Sequence, residues 1–230
     1  MNSTIAIIDA RAPQKAIKTL QQYCDVFLLR SENITYDAIS CHPDIFIFQG
    51  KNELIIAPNT PEDLIATLHQ KGVSFTFGNS EVGKELENST YYNCIKTHSH
   101  IFHKQGFTDK VILESTKNNI INLPQAYTRC SMIALNEKAF ITSDKGIEKV
   151  LMQNGFECFY VNPSTIHLPP YKHGFIGGCM GLWNNSLFII GNLQTLENGN
   201  ELRQFIQQQK LEIVELYNGN LYDGGGIFFL

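Results

Sequence analysis

The sequence predicts an α/β fold built from five similar units closed into a ring. Three observations carry that prediction. Helix-like and strand-like stretches alternate along the chain, a helix–strand–hairpin unit recurs, and the last unit ends one strand short while the first begins with one strand extra. The turns of the first four hairpins centre near residues 51, 99, 137 and 185, which are 48, 38 and 48 residues apart. A repeat of this size means that each unit buries its apolar face against its neighbours.

The elements follow in order. Residues 4–8 are a β-branched strand ending at Asp9, and residues 14–23 place Ala16, Ile17, Leu20 and Tyr23 at helical spacing behind Pro13. Residues 26–29 form a second strand, and residues 42–48 and 54–57 a hairpin about the turn 49–52. The second unit has a helix over 61–71 capped by Asn59 and Thr60, a strand over 73–77 and a hairpin of 93–96 with 101–103. The third has a helix over 109–117, a strand over 120–123 and a hairpin of 131–135 with 139–142. In the fourth, Ser143 and Asp144 cap a helix over 147–154, before a strand over 157–161 and a hairpin of 179–182 with 187–190. The fifth has a helix over 201–209, a strand over 211–216 and half a hairpin, 226–230. The extra strand at 4–8 supplies the missing partner, so the N-terminal strand pairs with the C-terminal strand to close the ring and hide the sheet edge. A single domain over 1–230 is expected, with units near 10–58, 59–104, 105–143, 144–192 and 193–230 plus 1–9. An ordinary open α/β sheet with incidental spacing is the competing architecture.

Composition agrees with a globular chain. The protein has 230 residues, of which 43% are hydrophobic and only 17% charged, against about 25% charged in a typical domain. Strands enclosed in a ring need apolar faces on both sides, which accounts for the low charge. The net charge is −4, and no Lys/Arg cluster occurs, so neither nucleic acid nor a membrane is an expected partner. No apolar run approaches the roughly 20 residues of a membrane-spanning helix, and no basic segment precedes residues 4–8 as in a secretory signal. The six cysteines at 24, 41, 94, 130, 158 and 179 include no CxxC pair, which points to reduced thiols in a cytoplasmic protein and gives no zinc-site spacing.

Certain segments resemble a known family. A ring of five such units resembles the pentein fold of guanidino-group modifying enzymes: arginine and agmatine deiminases, dimethylarginine hydrolases and amidinotransferases. Asp223-Gly224-Gly225-Gly226 is similar to the Gly-rich turn near the end of those enzymes, and residues 174–181 leading into 187–191 to the repeat with their catalytic histidine. The segments 127–131, 142–146 and 173–178 resemble a bacterial group of penteins. The resemblance covers nearly the whole chain and implies a five-fold pseudo-symmetric α/β propeller. It also implies a nucleophilic cysteine shortly after the terminal Gly turn, where this sequence has Ile227-Phe228-Phe229-Leu230, and a histidine where it has Phe175, with His173 two residues away.

In such a ring the residues just before each hairpin gather at the centre. Cys130 is the candidate relocated nucleophile, since an adjacent cation (Arg129) favours a thiolate. His173 is the candidate acid and base, with His42 as the alternative. Asp44 and Asp223 would hold a guanidinium or ammonium group, and His42, Arg129, Cys179 and Asp223 would complete the ligand pocket. The plainer alternative is that Cys130 and Cys179 fill the core and the aspartates cap turns. His98, His100 and His103 offer a possible H-x-H-x-x-H set, but they flank a turn without a nearby carboxylate, so no metal is expected. The Gly177-Gly178 and Gly224-Gly226 runs match no nucleotide loop and serve positive φ or close backbone approach instead, so no cofactor is expected. The expected function is binding of a small polar ligand, guanidino or amino-acid-like, in a central channel. A cysteine-dependent C–N hydrolase or amidinotransferase-like enzyme acting through Cys130 and a non-catalytic interaction module are the alternatives.

Overall fold

The computed structural model describes residues 4–51, 53–115 and 119–230. The expected turn residue Asn52 and the end of the expected helix 109–117 lie outside them. Fifteen strands among the described residues form five three-stranded sheets. In chain order they are β1 (Ile5–Asp9), β2 (Asp25–Leu29), β3 (Ile47–Gln49), β4 (Leu54–Ile56), β5 (Thr76–Phe77), β6 (Ile95–Lys96), β7 (His100–His103) and β8 (Asn119–Asn122). They continue with β9 (Met132–Ala134), β10 (Ala139–Thr142), β11 (Glu157–Tyr160), β12 (Met180–Trp183), β13 (Ser186–Ile189), β14 (Glu212–Glu215) and β15 (Phe228–Phe229).

Every sheet is built the same way. A fully or mostly buried central strand pairs antiparallel with a short strand on one side and parallel with the strand that returns after a helix on the other. The parallel partners β2, β11 and β14 carry half-exposed side chains, as strands lying under only one covering layer do. The crossover helices are Gln14–Leu20, Glu62–Gln70, Lys110–Glu114, Lys145–Gln153 and Gly199–Gln208. Their apolar stripes, such as Ile147 with Leu151 or Leu202 with Ile206, are buried against the sheets. The hairpin β12–β13 turns in two residues, Asn184 and Asn185, both at positive φ (47° and 62°), the pattern that matches strand twist.

The first sheet takes strands from both ends of the sequence, in the order β15-β1-β2. Ala6 faces Phe229 and Ile7 faces Phe228 in antiparallel register, and Ile5 and Leu230 exchange two backbone hydrogen bonds of 2.9 Å. The expected pairing of the first strand with the last is therefore present. No helix among the described residues is long and apolar enough to cross a membrane.

The structure departs from expectation where the hairpins begin. Residues 42–48 were expected as continuous strand, but Pro43–Phe46 is a helical turn with Pro43 at its start, and only Ile47–Gln49 is strand. Pro favours the first helical position because its fixed φ suits the helix and its missing N–H is not needed there. Thr128–Ser131 is likewise a helical turn, so the strand begins at Met132 rather than Ser131, and Gly177–Cys179 is a turn of 3-10 helix. The strand expected over 73–77 narrows to Thr76–Phe77.

Caps set the loops as well as the helices. Asp109 accepts from Val111 N (2.8 Å) at the start of its helix, and its other oxygen accepts from Asn79 N and Ser80 N at 2.9 and 2.7 Å. It is buried, so replacement leaves three N–H groups without an acceptor. Asp109→Ala is expected to cost about 2–3 kcal/mol in urea unfolding, more than an ordinary cap, with Asp109→Asn recovering part of it. A loss under about 0.5 kcal/mol would refute the assignment.

Candidate functional site

The five segments that precede the first strand of each sheet occupy equivalent places in the repeat, and they meet. Asn93 Nδ2 donates to the Asp44 carbonyl (3.3 Å) and to Cys130 Sγ (3.3 Å), while Asn93 Oδ1 accepts from Cys130 N (3.1 Å). Phe175 N donates to Asp223 Oδ2 (2.8 Å), and Gly226 N to the Gly178 carbonyl (2.7 Å). Two glycines make the approach possible. A Cβ on Gly177 would lie 2.2 Å from the Arg129 carbonyl oxygen, and one on Gly178 would lie 1.8 Å from Asp223 Oδ1. Gly225 and Gly226 instead supply the left-handed turn expected of them, at φ +70° and +83°.

A cavity of about 360 Å³ opens over this junction, lined in part by Tyr36, His42, Tyr127, Cys130, His173, Phe175 and Asp223. The Cys130 thiol donates to Asp44 Oδ2 at 2.8 Å. His42 stands between two carboxylates, with Nε2 3.6 Å from Asp9 Oδ2 and Nδ1 4.0 Å from Asp223 Oδ1. Neither ring nitrogen has a hydrogen-bond partner, and neither has Asp44 Oδ1, although all three atoms are buried. Asp9 is tied to Arg11 (2.7 Å), whose guanidinium also donates to the Asp37 and Ala38 carbonyls. Tyr36 and Tyr127 also line the cavity, and Tyr127 Oη is 2.7 Å from both Tyr36 Oη and Ser89 Oγ, a chain of three hydroxyls.

Burial dominates the protonation of this site. It pushes the Asp44 carboxyl up to about 6, against the hydrogen bond from Cys130 and the charge of Arg129. Asp223 is also pushed up to about 6 by burial, opposed by His42 and reinforced by Asp44. The Cys130 thiol lies well above its ordinary value, through burial and then through the charges of Asp44 and Asp223. The expectation that Arg129 would favour a thiolate is therefore reversed: the neighbouring carboxylates and the lack of solvent outweigh it. Burial pulls His42 down, against Asp223 and Asp9, which leaves the imidazole neutral at pH 7.

The structure brings Cys130, Asp44, His42 and Asp223 together and places His173, with His42, Cys130 and Asp223, in the lining of the cavity. His173 makes its hydrogen-bonding contact at the neighbouring Gly174 carbonyl (3.1 Å), so the group within reach of the thiol is Asp44. Arg129 turns away from the cavity. Its guanidinium donates to the Gly177 and Met180 carbonyls (2.6 and 3.0 Å), lies over the Phe228 ring, and faces a second cavity of about 490 Å³. Cys179 donates to the Phe175 carbonyl within an apolar cluster. The three histidines of 98–103 do not gather. His103 hydrogen-bonds Thr108, the His100 ring packs on Phe156, and the His98 backbone donates to Glu137. Among the described residues, the His/Cys/carboxylate group close enough for one ion is His42, Asp44 and Cys130. Asp9 was expected only as the end of the first strand and Tyr36 not at all. The polar residue closing a buried strand was the signal available for Asp9, whereas nothing local marks Tyr36.

Residues 7–228 match the model of a family described as a family of unknown function, DUF6873. The chain belongs to this family. No functionally curated protein matches it. Among solved structures it is similar to a Cys→Ser variant of the dimethylarginine dimethylaminohydrolase (DDAH) of Pseudomonas aeruginosa in complex with citrulline. The TM-score is 0.55 at 12% identity, over 92% of this chain and 90% of the other. It is similar to a substrate-bound Cys→Ser variant of C. jejuni agmatine deiminase, with TM-score 0.56 and 8% identity over 95% and 80% of the two chains. It is also similar to an amidinotransferase of saxitoxin biosynthesis from Microseira wollei, with TM-score 0.51 and 10% identity over 92% and 87%. All three are penteins, so this member of DUF6873 has the pentein α/β fold.

Proposed function

We propose that this protein binds a small guanidino, amidino or amino-acid-like cation in the cavity over Cys130. The observation that carries the reading is the charge of the buried junction. Among the buried groups, Asp9, Asp44 and Asp223 are matched by one guanidinium, Arg129, with His42 neutral; the exposed Arg11 is tied to Asp9 and the exposed Lys172 lines the cavity, so the carboxylate surplus lies at the buried end, at Asp44 and Asp223. A planar cation donating to Asp44 and Asp223 would supply the missing charge through charge-assisted hydrogen bonds. The relatives by fold include enzymes named for agmatine and dimethylarginine, which agrees with that ligand class. The five sheets would close as a single propeller domain with the β15–β1 pairing as its seam, and the cavity at its centre. The six free cysteines fit a reducing bacterial cytoplasm.

Calorimetric titration with arginine, agmatine and methylarginine in chelator-treated buffer tests the reading. At least one compound should bind, and Asp44→Asn and Asp223→Asn should each weaken it tenfold or more. Affinity should fall as pH drops from 7.5 to 5, because both carboxyls take up protons near 6 and lose the charge that holds a cation. Binding that is unchanged in both variants, or absent for all three compounds, would sink the proposal.

A second reading has one specific observation behind it, the 2.8 Å contact of the Cys130 thiol with Asp44. Asp44 would take the thiol proton as sulfur attacks the guanidinium carbon. The carbon–nitrogen bond would then break with a proton delivered to the leaving amine, and water assisted by His173 would release the product. A bound cation offsets the burial that holds the thiol protonated, so attack would follow binding. Release of ammonia or an amine by the wild type and its loss in Cys130→Ser would establish the chemistry, and binding without release would leave the first reading alone.

A further inference from the structure

We propose that His42, Asp44 and Cys130 form a three-ligand zinc site that faces the cavity and leaves a fourth coordination position open to it. One nitrogen, one carboxylate oxygen and the sulfur of these residues all lie within 4.8 Å of one another. Tetrahedral zinc, with bonds of about 2.0–2.3 Å, holds its ligands roughly 3.3–3.8 Å apart, so side-chain adjustments of about 1 Å complete the site. The N/O/S donor set suits a borderline-soft divalent ion. The site is also built on rigid parts. His42 and Asp44 bracket Pro43 at the start of one helical turn, Cys130 lies in another, and the Asn93 amide bridges the two through Asp44 O, Cys130 N and Cys130 Sγ.

The unpartnered atoms point the same way. Both His42 nitrogens and Asp44 Oδ1 are buried without hydrogen bonds. Buried polar groups in native proteins are nearly always satisfied, and exceptions call for a reason. An ion satisfies the His42 nitrogen that binds it. The other nitrogen then carries the ring proton and faces a carboxylate, Asp9 if Nδ1 ligates or Asp223 if Nε2 does. A carboxylate behind a metal-bound histidine is the usual outer-shell arrangement. The Asn93 N–H on Cys130 Sγ stabilises a sulfur that has given up its proton. The ion's charge offsets the surplus carboxylate, and Arg129, the nearby buried cation, is directed at backbone carbonyls on the far side.

Loading breaks the Cys130 S–H bond. The sulfur donates its electron pair to zinc, and the proton leaves to solvent, by way of Asp44 Oδ2 to which it already points. His42 and Cys130 line the cavity, so water or a small donor ligand can take the fourth position, as in catalytic rather than structural zinc sites.

The full chain, stripped with a chelator, would be titrated with zinc and, separately, with cobalt(II). We expect one zinc per chain after desalting, and a thiolate-to-cobalt charge-transfer band with tetrahedral visible bands in the wild type. Cys130→Ser should abolish the charge-transfer band, and Cys130→Ser and His42→Ala should each weaken zinc binding at least tenfold. The wild-type cobalt spectrum needs no variant, so the test survives a variant that fails to fold. A wild type without stoichiometric zinc, a cobalt complex without the charge-transfer band, or a Cys130→Ser variant that retains its zinc would overturn the site. Binding of guanidino compounds is measured in chelator, so its failure and the failure of the zinc site are read separately.

Discussion

Gly177→Ala is expected to destabilise the protein by about 3 kcal/mol or more, because the added methyl has nowhere to go. Its Cβ would stand 2.2 Å from the Arg129 carbonyl oxygen, 2.4 Å from that of Met132 and 2.8 Å from that of Cys130. All three are backbone atoms, so relief requires the helical turn Thr128–Ser131 to move away from Gly177–Cys179. That movement would also draw Cys130 off Asp44 and Asn93, so cation and zinc binding should be lost with stability. Gly155→Ala serves as the control. Gly155 has a positive φ of 79° but nothing within 4 Å of its would-be Cβ, so only the conformational cost of about 1 kcal/mol applies. Denaturant midpoints at pH 7.5 compare the two variants. A Gly177→Ala protein as stable as Gly155→Ala would contradict the close packing of these segments.

Arg129→Leu should cost about 3–5 kcal/mol, the usual penalty for removing one partner from a buried set of charges. The guanidinium holds the Gly177 and Met180 carbonyls and supplies positive charge to Asp44 and Asp223, and leucine does neither. Without it the Asp44 carboxyl moves further up, so the folded state takes up protons more readily than the unfolded chain. The deficit should therefore shrink as pH falls from 7.5 to 5 and grow as pH rises. Arg129→Lys keeps a charge but cannot span two carbonyls with a planar fork, and should fall between wild type and leucine. Urea unfolding at the two pH values reads both effects. A leucine variant equal to wild type at pH 7.5 would remove Arg129 from this role.

The five-unit organisation was legible because the units repeat a local pattern: an amphipathic helix, an apolar strand and, in the first four, a turn of Gly, Asn or Ser; among the described residues side-chain caps on these helices recur only at Asp109 and Asp144, and Asn59, expected to cap the second helix, bonds Val82 instead. The starts of the hairpins were not. In Ile45-Phe46-Ile47-Phe48 the apolar residues run unbroken through the end of a helical turn into a strand, so no change of period marks the boundary, and Pro43 alone hinted at it. The candidate site was legible to the extent that residues in equivalent places of the repeat converge, which is how Asp44, Cys130 and Asp223 come together from segments 86 and more residues apart. What sequence could not reach was orientation. Arg129 is next to Cys130 in the chain, yet its guanidinium points to backbone carbonyls while burial governs the thiol. His173 reaches the right cavity but not the thiol, and Tyr36 joins through a hydroxyl contact with Tyr127, 91 residues away.

The mixed origin of the first sheet has a consequence for synthesis on the ribosome. Four sheets draw all their strands from consecutive stretches of chain and can form as those stretches emerge. The sheet of β15, β1 and β2 lacks one strand until residues 228 and 229 are free of the exit tunnel, so β1 presents a bare edge while the roughly 200 residues between β2 and β15 are made. Asp223 and the glycines at 225 and 226 arrive with the β15 segment. The negatively charged junction around His42 is thus assembled only when the other four sheets already stand to support it, and a nascent chain stalled before residue 223 would lack both the strand that covers the edge and the carboxylate that completes the cavity.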